Sequence, residues 1–238
     1  MDRLKNYAVI LASGKGKRFG GDIPKQFLEI SGKTVLERSI EVFEYTDEID
    51  GIITVITPEY IERAREIIEK NAYKKVFKIL PGGKERKDSS YIGVNAIEEN
   101  EANVLIHDCA RPLIPREIVR MCIRALKTYE AAAVAVKTTD TVIKVKDNVI
   151  EEIPERRSLM NIQTPQCFKL SLIKKAHELS KNDNNFTDDC GLVVKYDLSK
   201  VHIIEGHECN IKITFADDIY MAERIFNRYK LIGIDGFF

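Results

Sequence analysis

Short apolar runs alternate with segments of helical periodicity from residue 7 to residue 136. The apolar runs predict buried strands at 7–12, 51–57, 76–80, 104–107 and 132–136. The segments between them predict amphipathic helices at 34–45, 59–71, 88–99 and 115–129. Because a strand, a helix and a further strand form the repeating unit of parallel sheets, this order predicts an α/β protein with helices on both faces of a parallel sheet.

The alternation breaks at 138–157, where apolar and polar residues alternate on either side of Lys146-Asp147-Asn148. This pattern predicts a β-hairpin that projects from the body of the protein. Beyond it, the sequence predicts strands at 166–168 and 201–205 and helices at 171–180, 188–196 and 217–228. No repeat, low-complexity tract or linker divides the sequence. We therefore expect a single domain spanning residues 1–238, with a β-arm at about 138–157.

Charge and cysteine content exclude several classes of protein. The 238 residues include 37 Lys and Arg against 37 Asp and Glu, and a net charge of zero argues against a dedicated nucleic-acid or membrane-surface binder. No apolar run approaches the roughly 18 residues of a membrane-spanning helix. The five cysteines are widely spaced and form no C-x-x-C pair, which argues against a disulfide framework or a zinc ribbon. We expect a protein of the reducing cytoplasm.

The loop after the first predicted strand is the strongest local sign of ligand binding. It reads Ser13-Gly14-Lys15-Gly16-Lys17-Arg18, and its small residues would let backbone N–H groups approach a phosphate closely. The side chains of Lys15, Lys17 and Arg18 add positive charge that would attract a polyanion. A dinucleotide-binding fingerprint requires a third glycine at the position of Phe19, so it is excluded. A Walker loop that ends in Gly32-Lys33-Thr34 requires a glycine five residues before Gly32, where this sequence has Phe27, so it is excluded as well. An ordinary glycine-rich turn stays open as the alternative.

Two charged residues lie at positions where open α/β sheets bind ligands. Lys25 follows Pro24 shortly after the loop, where its ammonium could neutralise charge on a phosphate, although a solvated surface lysine is the alternative. Asp108 lies at the carboxyl end of a predicted strand, and its carboxylate suits Mg²⁺. A helix cap or an ion pair with Arg111 is the alternative for Asp108. We interpret His107 as structural.

Taken in order, eight short motifs resemble one family, the cytidylyltransferases that form CDP-polyols from CTP. Its two branches are 2-C-methyl-D-erythritol 4-phosphate cytidylyltransferase of isoprenoid synthesis and ribitol-5-phosphate cytidylyltransferase of teichoic acid and capsule synthesis. The resemblance covers residues 8 to about 222. The motifs are Gly14-Lys15-Gly16-Lys17-Arg18, Pro24-Lys25-Gln26, Gly82-Gly83-Lys84-Glu85-Arg86 with Ser89, His107-Asp108-Cys109-Ala110-Arg111-Pro112, Asp140-Thr141, Gln163-Thr164-Pro165-Gln166, Thr187-Asp188-Asp189 and Asn210-Ile211-Lys212-Ile213-Thr214.

The resemblance implies a fold, a reaction and an assembly. The fold would be a Rossmann-like nucleotidyltransferase fold, with a mostly parallel sheet, helices on both faces and a projecting β-arm. The reaction would need Mg²⁺ and would take CTP first and a small polyol phosphate second. The arm would exchange between the subunits of a homodimer.

The resemblance also implies roles for individual residues. The triphosphate would be held by Ala12, Ser13, Gly14, Gly16 and Arg18, and the cytosine by Gly83, Lys84 and Ser89. Charge at the α-phosphate would be stabilised by three catalytic residues, Arg18, Lys25 and Lys212. Asp108 would assist Mg²⁺. On the arm, Thr141 and Arg156 would bind the polyol phosphate across the dimer.

The motifs indicate the nucleotide more clearly than they indicate the phosphate acceptor. The segment Thr187-Asp188-Asp189-Cys190-Gly191 resembles the capsule-type ribitol enzymes more closely, so the sequence predicts D-ribitol 5-phosphate as the acceptor. The alternative acceptor is 2-C-methyl-D-erythritol 4-phosphate. Two alternatives of other kinds are a non-catalytic nucleotide-binding protein on the same fold and a sugar-1-phosphate nucleotidyltransferase that uses UTP or GTP.

Overall fold

The computed structural model describes residues 3–14, 23–183 and 186–231. The strands are β1 (Lys5–Ala12), β2 (Glu29–Ile30), β3 (Lys33–Thr34), β4 (Gly51–Ile56), β5 (Val76–Pro81), β6 (Ala102–Asp108), β7 (Ala131–Lys137), β8 (Lys144–Lys146), β9 (Val149–Glu152), β10 (Met160–Lys169) and β11 (Val201–Glu205). The α-helices are α1 (Val35–Glu44), α2 (Ile61–Lys70), α3 (Arg86–Asn95), α4 (Arg116–Ala125), α5 (Leu170–Leu179), α6 (Asp189–Lys195) and α7 (Asp217–Leu231). Short 3₁₀ turns lie at Lys25–Phe27, Pro58–Tyr60 and Arg156–Ser158.

Within these described residues, seven strands form one sheet in the order β11-β7-β10-β6-β1-β4-β5. Every pair is parallel except the two that involve β10, which runs antiparallel to both β6 and β7. The predicted α/β architecture is confirmed, with one strand reversed. The reversal has a topological reason, because the chain enters β10 from the hairpin without the helical crossover that a parallel strand requires.

The central strand β1 is buried on both of its faces, since its side chains alternate between two apolar layers. Ala8 and Ile10 pack into the layer that contains α1, α2 and α4. Val9 and Leu11 pack into the layer that contains α3, α5 and α6. None of these four side chains is more than 8% exposed. The helices on both faces therefore fix the carboxyl end of β1, which leads into Ser13 and Gly14.

Helix boundaries follow local capping chemistry. Thr34 caps α1, because its hydroxyl accepts from the Glu37 backbone N–H at 3.1 Å while its own N–H donates to the Glu37 carboxylate at 2.7 Å. The predicted helix at 59–71 begins two residues later, at Ile61, because the chain first makes the 3₁₀ turn Pro58–Tyr60. Asp188 caps α6 through its side chain, which accepts from the Gly191 N–H at 2.9 Å.

The predicted hairpin is present, with β8 and β9 paired antiparallel. Asp147 and Asn148 occupy its turn with positive φ angles of 51° and 62°, a conformation that these residue types tolerate well. The arm exposes large apolar side chains to solvent, 51–67% in each case, at Val145, Val149, Ile150 and Ile153. Such a two-stranded ribbon is marginally stable by itself and needs a covering surface.

Two further observations concern the length of the helices and the state of the cysteines. Across the described ranges, every helix is too short or too polar to cross a bilayer. All five cysteines have free thiols and are buried.

Candidate active site

A cavity of about 620 Å³ opens where β1, β5 and β6 end. This is the edge of the sheet at which open α/β proteins bind ligands, because loops from neighbouring parallel strands meet there. Its described lining consists of Leu11, Ala12, Ser13, Gly14, Lys25, Gln26, Val35, Gly83, Lys84, Glu85, Arg86, Asp108, Cys109, Ala110, Lys212 and Thr214. Tertiary structure therefore gathers residues that are separated by up to two hundred positions in the chain.

At one end of the cavity, the loops after β1 and β5 touch. The Ser13 and Ser89 hydroxyls are 2.7 Å apart, Oγ to Oγ, and the Gly83 backbone N–H donates to Ser89 Oγ at 3.1 Å. A β-carbon built on Gly82 would lie only 2.2 Å from the Ser13 Cβ, so this close approach requires glycine. Ser89 is 1% exposed and lies behind the lining. This corner offers hydroxyl and backbone groups for a small polar ring.

Lys25 lies beside the first residues of the predicted phosphate loop. It begins the 3₁₀ turn Lys25–Phe27, which follows Pro24. Its ammonium is 3.5 Å from the Ile213 carbonyl oxygen, and its Nζ would lie 3.9 Å from a β-carbon built on Gly14. Lys25 is half-buried and is among the residues that line the cavity, which favours a binding role over that of an ordinary surface lysine.

Asp108 carries the buried negative charge of the cavity. Arg86 Nε donates to Asp108 Oδ1 at 2.9 Å, and Lys212 Nζ donates to Oδ2 at 2.7 Å. Burial by itself would raise the pKa of Asp108, but the charges of Arg86 and Lys212 outweigh it and hold that pKa well below its usual range. The carboxylate is therefore ionised throughout the physiological pH range.

The alternative partner considered for Asp108 is wrong. Arg111 donates instead to the backbone oxygens of Asn210, at 2.7 Å, and Ile162, at 3.4 Å. The partner that sequence reasoning missed is Arg86, the first residue of α3. The sequence predicts this helix only from residue 88, whereas α3 begins at Arg86, so no local signal marked Arg86 as the partner of Asp108.

His107 is structural, as expected. It is fully buried, and its Nε2 donates to the Arg111 carbonyl oxygen at 3.0 Å, which fixes the proton on Nε2 because that oxygen can only accept. Nδ1 then accepts from the Thr164 hydroxyl at 3.0 Å, and the Thr164 oxygen accepts from the Asp108 backbone N–H at 3.1 Å. Burial lowers the pKa of His107 to about 4, so the ring is neutral at pH 7.

Other predicted site residues lie elsewhere. Thr141 and Arg156 are exposed on the arm and are not among the described residues that line the cavity. Arg156 Nη1 donates to the Thr139 carbonyl oxygen at 3.1 Å. Gly16 and Arg18 lie outside the described residues, so their predicted contact with the triphosphate stays a prediction.

The donor set of the cavity suits one kind of metal binding. In the described part of the chain, no three His, Cys, Asp or Glu side chains are grouped closely enough to form a metal cage. Mg²⁺, however, is usually held by one or two carboxylates together with substrate phosphate oxygens. Arg86 and Lys212 each take one lone pair of the ionised Asp108, and its remaining lone pairs fit a magnesium ion that is shared with substrate phosphates.

The fold and the cavity together define the class of protein. A mostly parallel sheet places Ala12, Ser13 and Gly14, three lysines and one ionised aspartate around a pocket of nucleotide size. The pocket contains no paired nucleophile and base of the kind that covalent catalysis uses, among the residues that the structure describes. These features define an α/β nucleotidyltransferase.

The sequence profile of one family, described as IspD: 2-C-methyl-D-erythritol 4-phosphate cytidylyltransferase, matches residues 7–228. The chain belongs to this family. A 2-C-methyl-D-erythritol 4-phosphate cytidylyltransferase of Clostridium botulinum (strain 657 / Type Ba4) is 41% identical over 227 residues, which cover 94% of this chain and 98% of the relative.

A second relative carries a different name. The bifunctional ribulose 5-phosphate reductase/CDP-ribitol pyrophosphorylase Bcs1 of Haemophilus influenzae is 39% identical over 232 residues, which cover 95% of this chain and 49% of that protein. Among solved structures, 4-diphosphocytidyl-2C-methyl-D-erythritol synthase from Anaerococcus prevotii superposes with a TM-score of 0.84 at 32% identity, covering 94% of this chain and 97% of the other.

Family membership decides the class of reaction. The protein is a CTP-dependent cytidylyltransferase with a nucleotidyltransferase fold. The predicted family, fold and enzyme class are confirmed, and the alternative of a non-catalytic binding protein is set aside. The prediction of D-ribitol 5-phosphate as the acceptor is not favoured, since the family profile and most of the similar proteins carry the name of the alternative acceptor.

Proposed function

We propose that the protein transfers CMP from CTP to 2-C-methyl-D-erythritol 4-phosphate and releases pyrophosphate. The observation that carries this proposal is the match of that family's profile to residues 7–228, almost the whole chain. The relative from Clostridium botulinum, which bears the same name, is 41% identical over a similar length.

We assign the binding of CTP to the two loops that meet in the cavity. Gly83, Lys84 and Ser89 would contact the cytosine, and Ala12, Ser13 and Gly14 would hold the triphosphate together with Gly16 and Arg18. The contact between Ser13 and Ser89 supports this assignment, because it joins the loop after β1 to the start of α3 beside the cavity. Polar groups buried there would be costly to leave unpaired, which would favour CTP over a purine nucleotide.

The transfer step needs positioning and positive charge rather than a covalent group. An oxygen of the acceptor phosphate attacks the α-phosphorus of CTP and forms the new P–O bond. The bond between the α-phosphorus and the bridging oxygen breaks, and pyrophosphate leaves with the electron pair. Lys25 and Lys212, with Arg18, would stabilise the charge that shifts during this step. The placement of both lysines on the cavity wall supports that role.

Asp108 would hold Mg²⁺ together with the phosphates of CTP. When bound, the ion neutralises phosphate charge and orients the triphosphate for displacement. We expect Asp108→Asn to bind CTP but to lose most of its activity, because a neutral amide is a weaker ligand for a hard cation. Initial rates across a Mg²⁺ titration measure this effect. An unchanged rate and metal dependence would limit Asp108 to pairing with Arg86 and Lys212.

The acceptor would be bound with help from the arm. We propose that Thr141 and Arg156 take the polyol phosphate of a neighbouring subunit, with the arms joining two chains into a homodimer. Their exposure on a ribbon that also exposes apolar side chains supports this arrangement. An arginine fork can hold a phosphate through two parallel hydrogen bonds.

The choice of acceptor is tested by measuring pyrophosphate release from CTP with a panel of phosphates. We expect the highest kcat/KM with 2-C-methyl-D-erythritol 4-phosphate, and little release when ATP, GTP or UTP replaces CTP. The second candidate acceptor is D-ribitol 5-phosphate, which the Haemophilus influenzae relative supports through its name and its 39% identity. A clear preference for D-ribitol 5-phosphate would replace the proposed function by this one.

We propose, finally, that the chain works in the cytoplasm as a single domain. The five free and buried thiols support a reducing compartment. The continuous seven-stranded sheet, which draws strands from both ends of the described chain, supports a single folding unit.

A further inference from the structure

Arg86 joins the cavity to a second carboxylate that lies behind it. Its Nε donates to Asp108 Oδ1 at 2.9 Å, and its Nη1 donates to Asp189 Oδ2 at 2.7 Å. Because a guanidinium is planar and its N–H directions are fixed, the carboxylate on one edge determines how the other edge is presented. The orientation of Asp108 is therefore connected to Asp189, which follows it by 81 positions in the printed sequence.

Besides Arg86, two described side chains hydrogen-bond to Asp189, Ser90 at its carboxylate and Gln166 at its backbone N–H. Ser90 Oγ donates to Asp189 Oδ1 at 2.5 Å and lies 3.2 Å from His177 Nε2. The backbone N–H groups of Asp189 and Cys190 donate to Gln166 Oε1, at 2.8 and 3.1 Å. Ser90 of α3 thus holds the Asp189 carboxylate and itself contacts His177 of α5, while Gln166 of β10 holds the backbone at the start of α6.

This support lies entirely in the interior. Asp189 is 1% exposed, Ser90 is fully buried and His177 is 2% exposed. None of the three is among the described residues that line the cavity. A buried ion pair costs desolvation that a well-packed apolar pair would avoid, which makes it weak evidence for stability alone. Its geometry points instead to the control of Arg86.

We propose that Asp189 is a positioning residue for CMP transfer. By accepting from Arg86 Nη1, Asp189 orients the guanidinium so that only its Nε donates to Asp108, at Oδ1. Asp108 Oδ2 then accepts from Lys212. Without that anchor, Arg86 is free to turn and engage both oxygens of Asp108, in competition with Lys212. The expected consequence is a slower transfer step with little change in CTP binding, since the hydrogen bonds of Asp189 go to Arg86, Ser90 and Gln166 and not to the residues proposed to hold the nucleotide.

A double-mutant cycle tests this inference. Asp189→Asn and Arg86→Gln should each lower kcat by roughly tenfold or more, while the KM for CTP stays within about twofold. The variant with both changes should be no slower than Arg86→Gln alone, because Asp189 acts only through Arg86. Glu178→Gln, an exposed carboxylate change on α5, serves as the matched control and should keep the wild-type kcat.

A milder variant covers the case in which Asp189→Asn folds poorly. Ser90→Ala removes one hydrogen bond to Asp189 and keeps the ion pair with Arg86, so kcat should fall severalfold at an unchanged KM for CTP. Thermal melting of every variant separates loss of fold from loss of rate. If Asp189→Asn or Ser90→Ala melts earlier but keeps the wild-type kcat, Asp189 is merely structural and the inference is overturned.

Two further outcomes are decisive. Effects of Asp189→Asn and Arg86→Gln that add would mean that Asp189 acts independently of Arg86, which also overturns the inference. The inference rests on the CTP-dependent reaction and not on the proposed acceptor, so every variant is assayed with the acceptor that the wild-type protein uses. Failure of the wild type with 2-C-methyl-D-erythritol 4-phosphate would therefore count against the proposed function alone.

Discussion

The charges of the site are arranged before any substrate binds. Asp108 is shared by Arg86 and Lys212, two cations that arrive from opposite sides of its carboxylate. Hydrogen bonds between ionised groups are stronger than neutral ones, and burial strengthens them further. Lys25 adds a third cation on the same wall. Such fixed charges need no rearrangement when negative charge moves to the leaving pyrophosphate, which is how an enzyme lowers a barrier without covalent chemistry.

Lys25→Ala should lower kcat about a hundredfold while changing the KM for CTP far less, since the ammonium matters most when charge shifts in the transition state. Steady-state kinetics with saturating acceptor measure both constants. Lys33→Ala is the matched control, because Lys33 is a nearby cation that pairs with Glu41 outside the described cavity lining. A Lys25→Ala enzyme with nearly normal turnover would exclude Lys25 from catalysis.

His107 should make the folded protein less stable in acid. Its folded pKa of about 4 lies below the ordinary 6.5, so the unfolded chain takes up a proton that the folded chain refuses. The stabilisation is complete above pH 6.5, is lost as the pH falls towards 4, and changes no further below that. Between pH 7 and pH 5 this one group should remove about 2 kcal/mol from the free energy of unfolding.

Urea unfolding of the wild type and of His107→Gln at both pH values measures this contribution. The variant should be less stable at pH 7, because Gln cannot reproduce the hydrogen bonds to Thr164 and Arg111. Its stability should also fall less on acidification. Equal losses in the two proteins would assign the acid sensitivity to other groups.

At the scale of elements, the site depends on how closely the loops after β1 and β5 approach each other. The Cβ position of Gly82 is occupied by Ser13, and a β-carbon on Gly83 would lie 2.2 Å from the Asp88 Cβ. Helix α3 begins at Arg86, three residues after Gly83, and places Arg86 in the cavity lining and Ser89 behind it. The junction between β5 and α3 therefore positions both the proposed base contact and the guanidinium that holds Asp108.

Gly82→Ala should separate the two loops, because its β-carbon cannot lie 2.2 Å from Ser13. We expect a loss of about 1–3 kcal/mol of stability and a weaker affinity for CTP. Thermal melting and calorimetric titration with CTP measure the two effects. Gly14→Ala is the steric control, since its β-carbon would meet Lys25 at an ordinary 3.8 Å and should leave the melting temperature nearly unchanged. Normal CTP affinity in Gly82→Ala would show that the contact is dispensable.

At the scale of the whole molecule, the folding of a single chain does not explain the apolar side chains that the arm exposes. The arm exposes six large apolar side chains between residues 142 and 153, although isolated two-stranded ribbons are marginally stable in water. A second arm of the same kind is the simplest cover, and a two-fold contact would place each arm identically on its neighbour. Arg156 would then serve the cavity of the other subunit.

Two inactive variants should therefore restore each other's activity. When Lys25→Ala and Arg156→Ala subunits exchange, a mixed dimer has one site with an intact Lys25 from one chain and an intact Arg156 from the other. At equal mixing, roughly a quarter of the wild-type activity should return, because half of the dimers are mixed and each has one working site of two. Pyrophosphate release before and after exchange measures the recovery. No recovery after demonstrated exchange would contradict a shared site.

The sequence by itself determined the features that are encoded locally. Strand and helix periodicity identified the α/β order, and Asp147-Asn148 identified the turn of the arm, because side-chain period and turn conformation depend on neighbouring residues. The order of the short motifs identified the family and brought Lys25, Asp108 and Lys212 to notice. These motifs could be recognised one at a time without knowing where they meet.

Only the tertiary structure decided how distant residues combine. The direction of β10, the choice of Arg86 over Arg111 as the partner of Asp108, and the buried support at Asp189 all depend on which elements pack together. Lys212 and Asp108 are separated by 104 positions, and Arg86 and Asp189 by 103. No local pattern specifies such pairs, because ion-pair geometry depends on distances in space that the sheet and its helices set after the chain has folded.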